Sequence, residues 1–469
     1  MKRRKRHAVL ENLTVENYAA EGKSIARVEG KVIFIEGAVP GDVVDVQLAK
    51  DKKDWAEGRA VRFSKLSTNR VEAFCKHFGV CGGCQWQMLP YALQLHYKQQ
   101  QVSDVLSRIA KVPLPAINPI LGCAEQTRYR NKMEYTFSNK RFLTTSELQD
   151  KEISSYSDVA GFHPKGFFDK VIDIDVCHLQ EPPTNDIRKF VAAFGRKNNL
   201  PFYDIREHRG LLRTMQVRTT TTGQLMVNLV FGYNDKAIIR ELLSELLKEF
   251  PQITTLLYTI NNKKNDSLYD LEPSVFTGPG YIIEKLENFS FKISPKSFFQ
   301  TNTRQAEVLY KVTREFAELT GSEVVYDLYC GTGSIGIFCS QQAARIIGVE
   351  TVAEAVADAR ENAELNGLAH AQFFTGDVVD VCNDTFFGDH GSPDVVIIDP
   401  PRAGLHEKLV NKLLEIRSPL MVYVSCNPAT QARDIQLLGA QYEVTRIQPV
   451  DMFPHTLHIE NVVQLKLKK

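Results

Sequence analysis

The stretch Val324-Val325-Tyr326-Asp327-Leu328-Tyr329-Cys330-Gly331-Thr332-Gly333-Ser334 opens on an apolar run and closes on two glycines one residue apart. A short apolar run bounded by glycine reads as a buried strand, and the glycines let the backbone turn sharply and approach a ligand closely. The pattern then repeats. Apolar runs at 345–349, 371–374, 394–398 and 420–425 alternate with helical stretches at 334–343, 352–366 and 405–416. Such alternation predicts a Rossmann-like, doubly wound parallel sheet. Sheets of that class place their chemistry at the carboxyl ends of the strands.

The residues at those ends narrow the ligand. Gly331, Gly333 and Gly336 formally match a dinucleotide-binding Gly-x-Gly-x-x-Gly. Glu350 ends the next strand, where an acid accepts hydrogen bonds from ribose hydroxyls. Asp377 and Asp399, the latter in Asp399-Pro400-Pro401-Arg402, follow the third and fourth strands. Acids at successive strand ends would repel a pyrophosphate and suit a cationic, phosphate-free ligand such as S-adenosylmethionine. The sequence therefore favours a methyltransferase over a dinucleotide enzyme.

Cys426 stands just after the 420–425 run, in Ser425-Cys426-Asn427-Pro428. Its bland reading is a small buried apolar residue. Its chemical reading is a nucleophile. Uracil C5 is a poor nucleophile until something adds at C6, and a thiolate can add there. A base must then remove the C5 proton so that the thiolate can leave. Glu460, just before the apolar run 462–467, suits the base, with His455 and His458 as rivals. Asp399 suits a hydrogen bond to the uracil edge. Amino methylation also uses an Asp-Pro-Pro motif but needs no cysteine.

Upstream, residues 8–65 read as short strands around the turn Pro40-Gly41-Asp42, a small oligonucleotide-binding type of β-barrel. Pro90 opens a helical stretch to about Ala110. Residues 130–260 mix strand-like runs (Thr214–Arg218, Gln224–Val230, Thr254–Ile260) with a helix near Ala237–Phe250, an α+β pattern. The expected boundaries are a barrel at 1–68, a central α+β domain at 69–290 and the doubly wound sheet at 291–469.

Composition narrows the class. The 469 residues are 43% hydrophobic and 24% charged, ordinary for a globular protein, with a net charge of +1. No apolar run is long enough for a membrane helix, and no signal-peptide core follows the basic Met1–His7 segment. We expect a cytoplasmic protein, a monomer without a membrane partner. Residues 1–70 carry 15 Lys and Arg against 10 Asp and Glu, a local basic surface for a phosphate backbone. Arg128-Tyr129-Arg130-Asn131-Lys132 and the 206–213 stretch are further candidate RNA contacts, against the plainer reading of solvated strands. RNA binding would offset the cost, about a few kcal/mol, of extruding a base.

There are nine cysteines. With no export signal, disulfides are not expected. Cys75, Cys81 and Cys84 share a Gly-containing loop, and Cys177 stands alone. Three clustered thiols and one distant thiol suit an iron–sulfur cluster or a zinc ion, with His77 or His178 as possible zinc ligands.

Three motifs, Asp-Pro-Pro-Arg-Ala-Gly (399–404), Ser-Cys-Asn-Pro (425–428) and Asp-Met-Phe-Pro-His-Thr-x-His-x-Glu (451–460), resemble the RNA (uracil-5-)-methyltransferase family. Asp-Leu-Tyr-Cys-Gly-Thr-Gly (327–333) and Phe-Phe-Gln-Thr-Asn (298–302) continue the likeness over nearly the whole chain. The resemblance implies that Cys426 is the nucleophile and Glu460 the proton-abstracting base. It puts Gln300, Tyr329, Ser334, Glu350, Asp377 and Asp399 on positions that contact S-adenosylmethionine. Ser334 stands where some members have Asn, and Leu457 where some have His. The ribosomal-RNA branch carries an N-terminal TRAM barrel and a [4Fe-4S] cluster on this cysteine pattern. The resemblance thus implies a cluster on Cys75, Cys81, Cys84 and Cys177, with 5-methyluridine in 23S rRNA as the product. The alternatives are the same reaction on tRNA and a non-catalytic RNA-binding protein of the same fold.

Overall fold

A computed structural model describes residues 8–19, 22–149 and 157–469. The basic segment 2–6 lies outside them. The chain forms two compact units. The first comprises residues up to Asp104 together with Phe453–His458, and the second comprises Val105–Met452 with Ile459–Lys469.

In the first unit six strands between Val9 and Lys65 make one sheet. All its ladders are antiparallel except Lys31–Glu36 against Trp55–Lys65. Alternating residues Ala26, Ile33, Ile35, Val44, Val46, Leu48 and Ala56 fill its core. The turn read from Pro40-Gly41-Asp42 is pinned by buried Asp42. Its carboxylate accepts from Val39 N at 2.7 Å, from Ser67 N at 2.8 Å and from Arg70 Nη2 at 2.7 Å. The segment between the sheet and the helix Tyr91–Ile109 carries Cys75, Cys81 and Cys84.

The second unit holds two seven-stranded sheets. In the sheet of the central region, Lys132–Ser138 pairs with Leu212–Thr219, which pairs with Leu225–Phe231. The remaining strands flank these. Met133, Tyr135, Phe137, Met215 and Val217 are buried. Arg188 of the helix Thr184–Lys197 lies over the Tyr135 ring, so that face of the sheet packs beneath helices. The alternate residues Lys132 and Glu134 face the other way, as the two-residue period of a strand requires.

The C-terminal sheet has the strand order Ala371–Thr375, Arg345–Glu350, Val324–Leu328, Val395–Ile398, Leu420–Ser425, Glu460–Leu467, Tyr442–Val450. The first five are parallel, as the strand–helix alternation predicts. The last two are antiparallel, so the sheet is not wholly parallel. The final strand inserts between Leu420–Ser425 and Tyr442–Val450. Tyr442–Val450 is not legible as a strand, since it mixes charges with Pro449. It lies at the sheet edge, where a proline costs no ladder hydrogen bond on its open side. Among the described residues, no helix is long and apolar enough to cross a membrane.

Candidate active site

Strand order reverses at Val324–Leu328, whose connections lead to neighbours on both sides. A crevice outside the carboxyl ends forms where that happens. Across this edge stand, in spatial order, Asp377, Glu350, Tyr329, Asp399 and Cys426, each just beyond or at the end of a parallel strand. Glu460 joins them from the opposite direction. It begins a strand antiparallel to Leu420–Ser425, so its first residue lies at the same edge. The pair Ser425 with Asn461 is the last rung of that ladder, and Cys426 and Glu460 are each the next residue outward.

The glycine turn is built by backbone conformation. Tyr329, Gly331 and Gly333 have φ of 61°, 53° and 75°. A Cβ on Gly333 would lie 2.8 Å from the Phe373 ring, so this position needs glycine both for φ and for space. Glu350 accepts from Gly331 N at 3.3 Å and Val352 N at 2.9 Å, which fixes its carboxylate beside the turn. Ser334 Oγ is 2.9 Å from Tyr310 Oη. Asp377 caps the short helix Val378–Val381 through Val379 N and is exposed. Gln300 is half-buried, and its backbone carbonyl accepts from Asn131 Nδ2 at 2.9 Å. Asn302 is the N-cap of Thr303–Phe316 and also donates to Met452 O at 2.9 Å.

The acid groups share one electrostatic problem. Burial pushes Cys426 up to about 11, and Glu460 and Asp399 add to the shift while Arg402 opposes it. Glu460 is 6% exposed. Burial holds its carboxyl well above the usual range, Asp399 reinforces this and Arg402 opposes it. Burial raises Asp399 to about 7. Asp327, at 0% exposed, also rises to about 7 by burial, although Gly336 N donates to its Oδ2 at 2.8 Å. Burial thus favours the uncharged forms of Cys426, Glu460 and Asp399 at one edge, and nearby positive charge would favour the ionised ones.

Arg402 is a charge that the sequence reading did not assign to this site. No Lys or Arg adjoins Cys426 in sequence, and the fold supplies one. Asn427 Nδ2 and Thr430 Oγ1 donate to Arg402 O at 3.0 and 3.2 Å, tying the 399–402 turn to the residues after Cys426. Buried Gln431 was missed as well. Its Nε2 donates to Tyr423 O at 2.9 Å and Asn461 O at 3.1 Å, and its Oε1 accepts from Asn461 Nδ2 at 2.7 Å. No local pattern marks a glutamine that clamps two strands, so only the fold reveals it.

Cys75, Cys81, Cys84 and Cys177 are all of intermediate burial. Gly83 N lies 3.4 Å from Cys81 Sγ, an amide aimed at sulfur. Burial raises the Cys81 thiol. The donor chemistry suits a metal cluster. The expectation of an assembled metal site is not met, however: among the described residues, no three His, Cys, Asp or Glu side chains are grouped to hold a metal ion. The first three thiols belong to the first compact unit and Cys177 to the second.

Comparison with known proteins adds independent findings. A tRNA (uracil-5-)-methyltransferase family model matches residues 388–468, a TRAM domain model residues 11–61 and a methyltransferase small-domain model residues 309–416. An uncharacterized RNA methyltransferase of Bacteroides thetaiotaomicron is 50% identical over 453 residues, 96% of this chain and 100% of its own length. One from Porphyromonas gingivalis is 48% identical over 460 residues, 97% of this chain and 99% of its own. The crystal structure of the Pyrococcus abyssi tRNA (uracil-54, C5)-methyltransferase with S-adenosyl-L-homocysteine is similar at a TM-score of 0.75 and 26% identity, over 97% of this chain and 100% of that one.

Proposed function

The chain belongs to the RNA (uracil-5-)-methyltransferase family, and from that premise we propose that it methylates C5 of a uridine in 23S rRNA, using S-adenosylmethionine. The register that puts Cys426 and Glu460 one step beyond the Ser425–Asn461 pair carries the proposal. Such a nucleophile and base must work on adjacent atoms of one ring, C6 and C5.

S-adenosylmethionine supplies an electrophilic methyl group and a positive charge. The turn at Tyr329–Gly333, with Glu350, Asp377, Gln300 and Ser334, would hold it, and the acid-rich edge suits its charge. Cys426, as thiolate, adds at C6 and leaves C5 electron-rich. After C5 has gained the methyl group, Glu460 as carboxylate removes the C5 proton. The C5–H electrons restore the ring double bond and Cys426 leaves. Asp399 would hydrogen-bond the base edge.

The domain assignment follows the same reading. Residues 1–68 would bind RNA, 69–290 would form the central domain, and 291–469 would hold the reaction. The thiols Cys75, Cys81, Cys84 and Cys177 would carry a [4Fe-4S] cluster, supported by their donor chemistry and the Gly83 amide. Anaerobic purification followed by iron, sulfide and zinc analysis tests this, and zinc without iron or sulfide rejects it.

A tRNA substrate is the second reading. The likeness to the Pyrococcus tRNA enzyme covers 97% of this chain, the N-terminal sheet included, so that sheet does not favour rRNA over tRNA. One experiment separates the readings. The protein is incubated with labelled cofactor and 5-fluorouridine-containing 23S rRNA or tRNA. A denaturation-resistant adduct is expected with rRNA and wild type and not with Cys426→Ala. Adduct on tRNA alone moves the substrate, and equal adduct with Cys426→Ala rejects the mechanism.

A further inference from the structure

Two cations in the central sheet have no use in the chemistry above. Lys132 and Arg218 are direct cross-strand partners on adjacent strands. Like charges directly opposite one another destabilise a sheet. Among the described residues, neither makes an ion pair. Arg218 is 3% exposed, its Nη2 donates to Ser297 O at 2.5 Å, and its Nε has no partner. Next to this pair, Glu134 opposes Gln216, which is 6% exposed with an unpartnered Oε1. Exposed Glu134 attracts both cations without forming an ion pair with either among the described residues, and a buried, incompletely bonded guanidinium beside a second cation stays costly until a further anion completes the group.

The surface is open at this point. Lys132–Ser138 is an interior strand of a seven-stranded sheet, yet Glu134 is exposed and Lys132 half-buried. The helix-covered face is the opposite one. The pair also adjoins the candidate active site. Asn131, the residue before Lys132, donates to Gln300 O and Thr301 O at 2.9 Å each, and Arg218 bonds Ser297 of the same segment.

We infer that Lys132 and Arg218 form a seat for a backbone phosphate of the RNA strand beside the target uridine, with Lys132 in contact and Arg218 positioned beneath it. This rests on the proposed function only for the identity of the RNA. A phosphate there would offset the repulsion between the two cations and register the strand against the Ser297–Asn302 segment without reading its sequence. In the free protein, burial first and Arg218 second lower Lys132 to about 8. The charged groups facing it are Arg218 across the ladder, Glu134 on its own strand and Arg130 two residues before that strand begins. Lys296, in the adjoining segment, is paired with Glu272.

Filter binding of bulk 23S rRNA and bulk tRNA by wild type, Lys132→Gln and Lys132→Arg tests the seat. Salt is varied at pH 7, and pH is varied from 7 to 9.5. Lys132→Gln is expected to reduce the slope of log affinity against log salt by about 0.7 to 0.9, the share of one phosphate. Wild-type affinity is expected to fall as pH rises through about 8 and beyond, and Lys132→Arg to remove that fall. The melting temperature of free Lys132→Gln is expected not to fall, since the repulsion with Arg218 is relieved, and S-adenosylmethionine affinity to stay unchanged. An unchanged salt slope overturns the inference, as does weaker cofactor binding with RNA binding intact, which would make the occupant the cofactor carboxylate. Binding needs no turnover, so the two proposals fail separately. RNA held through Lys132 but never methylated sinks the enzymatic reading alone.

Discussion

Cys426 and Glu460 come from strands that run in opposite directions, and each stands one residue past their last shared pair, Ser425 with Asn461. The ladder thereby sets a thiol beside a carboxyl 34 positions later in the chain. Burial, with Asp399 adding to it, pushes both groups toward their protonated forms, and Glu460 adds to the push on Cys426.

If Glu460 removes the C5 proton, Glu460→Gln stops the reaction after methyl transfer, because Cys426 cannot leave. Turnover should fall by about 10²- to 10⁴-fold, the range for loss of a general base. A methylated protein–RNA adduct should accumulate on denaturing gels with ordinary, unfluorinated RNA. Loss of turnover without adduct would move the base elsewhere, His455 and His458 being the remaining candidates.

Arg402 lowers both Cys426 and Glu460 and is the cationic influence on the thiol. With the thiol at about 11, the thiolate fraction rises about tenfold per pH unit below that value. Adduct formation with 5-fluorouridine RNA should therefore speed up from pH 7 to 9. Arg402→Gln should shift the profile to higher pH and slow adduct formation at pH 8 by about 3- to 10-fold. A parallel, unshifted profile would show that Arg402 acts on binding and not on ionisation.

Gln431 holds the Leu420–Ser425 and Glu460–Leu467 strands together at the rung that sets the active pair. Gln431→Ala leaves Asn461 and two carbonyls without this partner, a cost of about 2–4 kcal/mol by the usual penalty for buried unpaired groups. Melting temperature should drop, and kcat should fall more than cofactor affinity. Full activity in a folded variant would remove the clamp from the argument.

Asp327 tests the burial argument by its sign. Its folded value of about 7 lies above its unfolded value near 3.9. The stability it contributes is therefore complete below about pH 4 and is lost as pH rises through about 7. Asp327→Asn should change stability little at pH 4 and raise it at pH 8, by on the order of 2–4 kcal/mol. Gly336 N can still donate to the amide oxygen. A loss at pH 8 would mean that the charged carboxylate is itself stabilised.

The sequence alone determined the parallel part of the C-terminal sheet and its strand-end residues. Apolar runs broken by glycine and helical periodicity are local properties, written within a few residues of one another. That is why Tyr329, Glu350, Asp377, Asp399 and Cys426 were legible as one edge. The final antiparallel insertion was not legible, because which strands pair, and in what register, depends on contacts between distant segments. Tertiary structure alone brought Glu460 to that edge, carried Arg402 there on a turn tied to Asn427 and Thr430, and set Gln431 between two strands. The same distinction governs the thiols. Their spacing suggested a metal site, but spacing does not gather ligands, and among the described residues they form no such group. Likewise, Lys132 and Arg218 are 86 positions apart in sequence and become one electrostatic unit only through the ladder that pairs them.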